Sequence, residues 1–113
     1  MTERELQKAG TDLLKQLGFD VSNLSQGFRP GGRRHGSTRQ RPGLPDTYCR
    51  HVLKRLRFWI EWKGPETRVT DHQRSWHELE AASGGTVWIV RSVGDLCQIL
   101  RGYGFQITQR SVG

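Results

Sequence analysis

Arg57-Phe58-Trp59-Ile60-Glu61-Trp62-Lys63 is the stretch whose reading decides the fold. Side chains on a strand alternate between its two faces. Phe58, Ile60 and Trp62 therefore share one face, which must meet a core. Trp59, Glu61 and Lys63 share the other, which sets a carboxylate beside an ammonium on a polar surface. Gly64-Pro65 stops the strand. Upstream, Asp46 to Val52 reads as a second strand, joined to the first by a tight connection around Leu53–Leu56. If that hairpin turns in odd register, Asp46 faces Glu61 or Lys63 across the pair.

Working outward, residues 2–17 carry Leu6, Gly10, Leu13, Leu14 and Leu17 at helical spacing. Thr2 with Glu5 is a capping box, and Gly18 is a C-terminal stop. Phe19 to Leu24 is a short strand. Thr70 to about Ser83 is a second helix with Trp76, Leu79 and Ala82 or Ser83 inside, ended by Gly84-Gly85. Thr86 to Arg91 is a continuous apolar run, as in a strand covered on both faces. Ser92 caps a last helix, with Asp95 at the capping-box position and Leu96, Ile99, Leu100 and Tyr103 inside. Residues 105–108 add a possible edge strand. The order is α-β-β-β-α-β-α, an α/β arrangement of a small mixed sheet flanked by helices, in one domain spanning 1–113.

Between the first strand and Asp46, residues 27–43 hold five glycines, two prolines and five arginines with almost nothing apolar. Such a stretch cannot bury itself and reads as a mobile basic loop. Over the whole chain, 18 Lys and Arg against 11 Asp and Glu leave a net charge of +7. That favours a polyanionic partner. Cys49 and Cys97 are too few for a disulfide scaffold and read as buried thiols of a reducing, cytoplasmic compartment. No apolar run is long enough to span a membrane. The start, MTERELQK, has no apolar signal core.

Asp46 and Glu61, reaching one point on a polar face open to solvent, form a hard-oxygen site suited to Mg²⁺ or Mn²⁺. The charge of Lys63 limits their mutual repulsion and can hold a water or a phosphate oxygen. Taken singly, each has a plainer reading: Asp46 after Pro45 caps a turn, and Glu61 with Lys63 is an exposed strand pair.

The set Pro45-Asp46, then Glu61-x-Lys63, resembles the PD-(D/E)xK nuclease superfamily with its restriction-endonuclease-like core. Glu3 in the first helix, the Gly43-x-Pro45-Asp46 corner, Glu61-Trp62-Lys63-Gly64, Gln73 in the next helix and the VWIVRSVGDL segment together resemble the VRR-NUC family, over about residues 3–100. The resemblance implies a metal-dependent, structure-selective DNA endonuclease of phage or host, with a Holliday-junction resolvase among the possibilities. It implies Asp46, Glu61 and the Trp62 main-chain carbonyl as metal ligands, and Lys63 orienting the attacking water and stabilising the charge at phosphorus. Gln73 would hold water or phosphate, and Glu3 would reach the metal directly or through water. Helical phase puts Glu3, not Glu5, on the stripe facing the sheet.

Some roles stay double at this level. Thr70-x-x-Gln73 is also a capping box, so Gln73 serves either the helix start or the site. Trp59 either stacks on a base or packs inside. His35, His51, His72 and His77 have no metal-ligand spacing and read as surface or DNA-edge residues. Arg33, Arg34, Arg39 and Arg41 stand at the mouth of the site as phosphate contacts, and Arg55 and Arg57 belong to a second basic cluster at the hairpin tip. The alternative in another class is a non-catalytic basic module that binds DNA or RNA, in which the two acids have no task. A sequence-specific restriction enzyme would share the site but needs further recognition elements. Cutting a junction in two strands calls for two sites, hence a homodimer. Trp88, Tyr103, Phe105 and Ile107 are large apolar residues available to cover the second copy.

Overall fold

The structure, a computed structural model, describes residues 1–24 and 42–108. The basic stretch 27–43 lies outside the described residues apart from Pro42 and Gly43, and Arg33, Arg34, His35, Arg39 and Arg41 fall with it. The element order is α1 (Glu3–Gln16), β1 (Asp20–Asn23), β2 (Thr47–His51), β3 (Leu56–Trp62), α2 (Asp71–Ala82), β4 (Val87–Val90) and α3 (Val93–Gly102). This is the expected order. The strands form one mixed sheet in the sequence β1-β2-β3-β4, antiparallel until the last pair, where β4 runs parallel to β3. The parallel pair needs a crossover connection, which α2 provides.

The core lies between the apolar face of the sheet and helices α1 and α3. Phe58, Ile60 and Trp62 are buried there with Leu6, Leu13, Leu14, Leu96 and Leu100. Helix α1 starts with the reciprocal Thr2–Glu5 capping box, which settles Glu5 as a cap. It ends at Gly18, whose φ of 97° lets the Phe19 N–H turn back to the Leu14 carbonyl (3.0 Å). Gly10 is where α1 presses against the indole of Trp62: a β carbon there would overlap the ring. A small polar network pins the same indole. Trp62 Nε1 donates to Thr47 Oγ1 (2.7 Å), which donates to Asn23 Oδ1 (2.6 Å), and Gln7 donates to that oxygen from α1 (3.1 Å).

Four expectations change. Of the expected inner stripe of α2, Trp76 does face the sheet, together with Gln73, His77 and Glu80, but Leu79 is 51% exposed and Ala82 and Ser83 are exposed with it. The sheet beneath α2 presents its polar face, so polar side chains are drawn inward and the apolar period misleads. Strand β4 is an edge covered on one side, with Ile89 38% exposed. Residues 105–108 form no strand. They fold back over the core with Phe105 against Phe19 and His51, held by the Arg101 guanidinium on the Ile107 carbonyl (2.8 Å). Phe105 and Ile107 are buried in this chain's own core. Tyr103 stacks on Phe58, and its hydroxyl accepts from Trp88 Nε1 (3.1 Å), so these residues are not a reserve of unpaired apolar surface. Both cysteines are free and buried, and burial pushes the Cys49 thiol up to about 12.

Candidate metal and phosphodiester site

Strand register builds the site. Thr47 pairs with Ile60, so one residue earlier Asp46 falls opposite Glu61. The Asp46 carbonyl accepts from Leu24 N–H (2.8 Å), and its Oδ2 accepts from Trp62 N–H (3.0 Å). On the α2 side, Gly43 has a φ of 94° and packs so tightly on the His72 carbonyl that a β carbon would not fit. The Gly43-to-Asp46 corner is thus locked between the start of α2 and the end of β3.

Glu61 and Lys63 are not open to solvent, contrary to expectation: they are 2% and 5% exposed. Helix α2 covers them. Gln73 Nε2 donates to Glu61 Oε2 (2.9 Å), and Lys63 Nζ stands 3.9 Å from the same oxygen. Gln73 also completes the capping box, its Oε1 accepting from Thr70 N–H (2.9 Å). The amide of Gln73 thus caps the helix through its oxygen and reaches Glu61, not a water or phosphate, through its nitrogen. Trp59 is packed: its ring meets Trp76 edge-on at 5.2 Å, and its Nε1 donates to Glu80 (3.2 Å).

Sequence reasoning missed His77. It lies one turn after Gln73 on the same face of α2, and its Nε2 is 3.8 Å from Glu61 Oε1. Both atoms are buried and neither has a hydrogen-bond partner. The i, i+4 spacing from Gln73 was the available signal. His51 is also internal, its ring bridging the Leu17 carbonyl (2.9 Å) and Lys54 N–H (3.2 Å), while His72 is exposed as expected.

Glu3 is exposed and makes no bond to either acid. Its side chain does lie near Gly64, and its charge acts on both. Arg55 and Arg57 sit towards the opposite end of the β2–β3 hairpin, about 20 Å and about 13 Å from the level of Asp46 at strand rise. They do not join the carboxylates. Arg91, not singled out from sequence, ties the segment after Lys63 by donating to the carbonyls of Gly64 (2.8 Å) and Thr67 (2.7 Å).

Burial raises the Glu61 pKa to about 8, helped by the charge of Asp46 and a hydrogen bond with it. Asp46 is raised as well, mainly by burial, against the pull of Trp62 N–H. Burial also lowers the pKa of His77, with Lys63 acting in the same sense. Two acids that resist ionising side by side, one with an unpartnered buried oxygen, fit a divalent cation. Among the described residues no three His, Cys, Asp or Glu side chains are grouped to enclose an ion.

No family model and no curated protein matches this sequence. A solved structure of a VRR_NUC domain is similar to it, with a TM-score of 0.68 at 22% identity, covering 91% of this chain and 99% of that one. The chain has the fold of that domain. No helix among the described residues is long and apolar enough to cross a membrane.

Proposed function

We propose that this chain is a divalent-metal-dependent, structure-selective DNA endonuclease that hydrolyses phosphodiester bonds. The observation that carries the reading is the convergence of Asp46 and Glu61 beside Lys63 and Gln73, on a fold similar to a VRR_NUC domain. A pure binding module has no use for two acids set together in a basic protein, one of them buried under a helix.

Each residue has a task in that chemistry. Asp46 and Glu61, with the Trp62 carbonyl, would hold Mg²⁺ or Mn²⁺, which supplies charge neutralisation at phosphorus and a more acidic water when bound. Lys63 orients the attacking water and takes up negative charge on the phosphate as the P–O bond to the leaving oxygen breaks. Gln73 holds the Glu61 carboxylate in place, so the strand and helix present one fixed acceptor. Glu3, exposed beside Gly64, acts on the site through its field or an intervening water. The +7 charge and the arginines at 33, 34, 39, 41, 55 and 57 serve affinity for the backbone. We extend the proposal to a homodimer acting on branched or junction DNA, because two opposed cuts need two sites.

The test is cleavage of labelled duplex, flap, single-stranded and four-way-junction DNA with Mg²⁺, Mn²⁺ or EDTA. Wild type should cut with metal and not with EDTA. Asp46→Asn should bind DNA and fail to cut. Metal-independent cutting, or full activity in Asp46→Asn, defeats the reading.

A further inference from the structure

The β2–β3 hairpin ends in two adjacent aliphatic residues that the fold does not use. Val52 is 82% exposed and Leu53 is 91% exposed. Isolated exposed aliphatics are ordinary. These two stand together at the outermost point of a hairpin that is held firmly behind them. The Arg55 N–H closes the turn on the Val52 carbonyl (3.1 Å), with Arg55 itself at a φ of 56°. The buried His51 ring ties the turn to the end of α1 and to Lys54 N–H, and the Lys54 ammonium lies 4.7 Å from the Phe105 ring centre.

The surroundings are basic. Arg50, Lys54, Arg55 and Arg57 flank the tip. Arg50 is shared with Asp20 (2.8 Å), whereas no carboxylate pairs with Arg55 or Arg57 among the described residues. Arg50, Arg55 and Arg57 line one open groove on the hairpin with His51, Val52 and Leu56. The cationic ring selects a polyanion. The apolar tip selects a polyanion that also offers flat apolar faces, and that is nucleic acid with bases out of their stack. Apolar side chains placed against base steps are a known means of holding such discontinuities open.

We infer that Val52 and Leu53 form a wedge that abuts unstacked bases at a branch point in DNA, with Arg55 and Arg57 on the flanking phosphates. The inference rests on the proposed DNA substrate and assigns the recognition of branching to the hairpin tip. The wedge lies about 20 Å along the hairpin from Asp46, so it reads the shape of the DNA without touching the reacting phosphate.

The experiment uses the full chain in EDTA, so that no cleavage intervenes. A flap DNA carries 2-aminopurine at the branch, and a linear duplex of the same length is the control. Wild type should brighten the probe and prefer the flap. The Val52→Ser/Leu53→Ser double variant should leave the probe dark and lower the flap-to-duplex affinity ratio about 10-fold. Its affinity for linear duplex and its urea midpoint should stay near wild type, since both residues are exposed. Equal brightening by the double variant, or none by wild type that binds the flap, overturns the wedge. Loss of a wild-type dimer in the double variant would assign the tip to a subunit contact and overturn it too. A wild-type chain that binds no DNA at all refutes the nuclease reading itself, a separate result from failure of the wedge.

Discussion

Replacing Glu61 by Gln should make the metal-free protein more stable at alkaline pH and flatten its pH dependence. Burial and the neighbouring Asp46 raise Glu61 from 4.5 to about 8. Between those values the folded chain keeps a proton that the unfolded chain has released. Stability therefore falls as pH rises through that window, and is fully present only below the unfolded value. A one-proton difference corresponds to a slope of about 1.4 kcal/mol per pH unit. Between pH 5.5 and 7.5 the loss is about 2 to 3 kcal/mol once partial titration at both ends is included. That is a large part of the 5–15 kcal/mol typical of a domain. Asp46, also raised, acts in the same direction at lower pH. His77, lowered by burial, acts oppositely below 6.5, which is why the comparison is with Glu61→Gln at each pH and not with wild type alone. The amide cannot ionise and can still accept from Gln73. Urea unfolding in EDTA at pH 5.5, 6.5 and 7.5 gives the result directly. A wild-type midpoint falling with pH relative to the variant is expected, and Mn²⁺ should restore wild type at pH 7.5. Parallel pH profiles for the two proteins would refute the argument that Glu61 is held protonated by its surroundings.

Three further outcomes follow from particular bonds. Thr70→Ala removes the N-cap hydroxyl of α2 alone and should cost about 1 kcal/mol with cleavage largely kept, whereas Gln73→Leu removes the reciprocal half of the capping box and the Glu61 contact together and should abolish most cleavage; urea melts beside a flap-cutting assay separate them. Thr47→Val strands Trp62 Nε1 and leaves Asn23 Oδ1 with Gln7 as its remaining donor, and should destabilise by about 1–3 kcal/mol in calorimetry. His77→Leu replaces an unpartnered buried nitrogen by a side chain of similar bulk, and should raise metal-free stability by about 1 kcal/mol in the same calorimeter; a loss would show that the imidazole has a partner in solution.

The hairpin was legible because two independent rules agree on it. Alternation puts Glu61 and Lys63 on one face, and the odd register then brings Asp46 to Glu61. Helix ends were equally plain at Thr2, Gly18, Thr70 and Ser92, where local chemistry is enough. What failed needed the third dimension. The polar face of β3 is closed by α2, so Glu61 and Lys63 became buried, and His77 came inward while Leu79 went out. No rule of spacing distinguishes an apolar stripe facing a core from one facing water when the surface opposite is itself polar. The chain end misled for a related reason: Phe105 and Ile107 alternate as a strand does, yet they close over Phe19 and His51 in irregular backbone.

Helix α2 has no fully buried residue, unlike α1 and α3. It is moored through the Trp76–Trp59 contact, the Glu80–Trp59 bond and the Gln73–Glu61 bond. Elements with few buried contacts open at free energies well below that of global unfolding. Among the described residues, the roof of the carboxylate pair is thus the helix that contributes nothing to the buried apolar core. Lifting it would bring Glu61 and Lys63 to the surface as a unit, while the sheet that sets their spacing keeps its register. Access to Glu61 and the durability of the fold would in this way rest on separate elements of the same small protein.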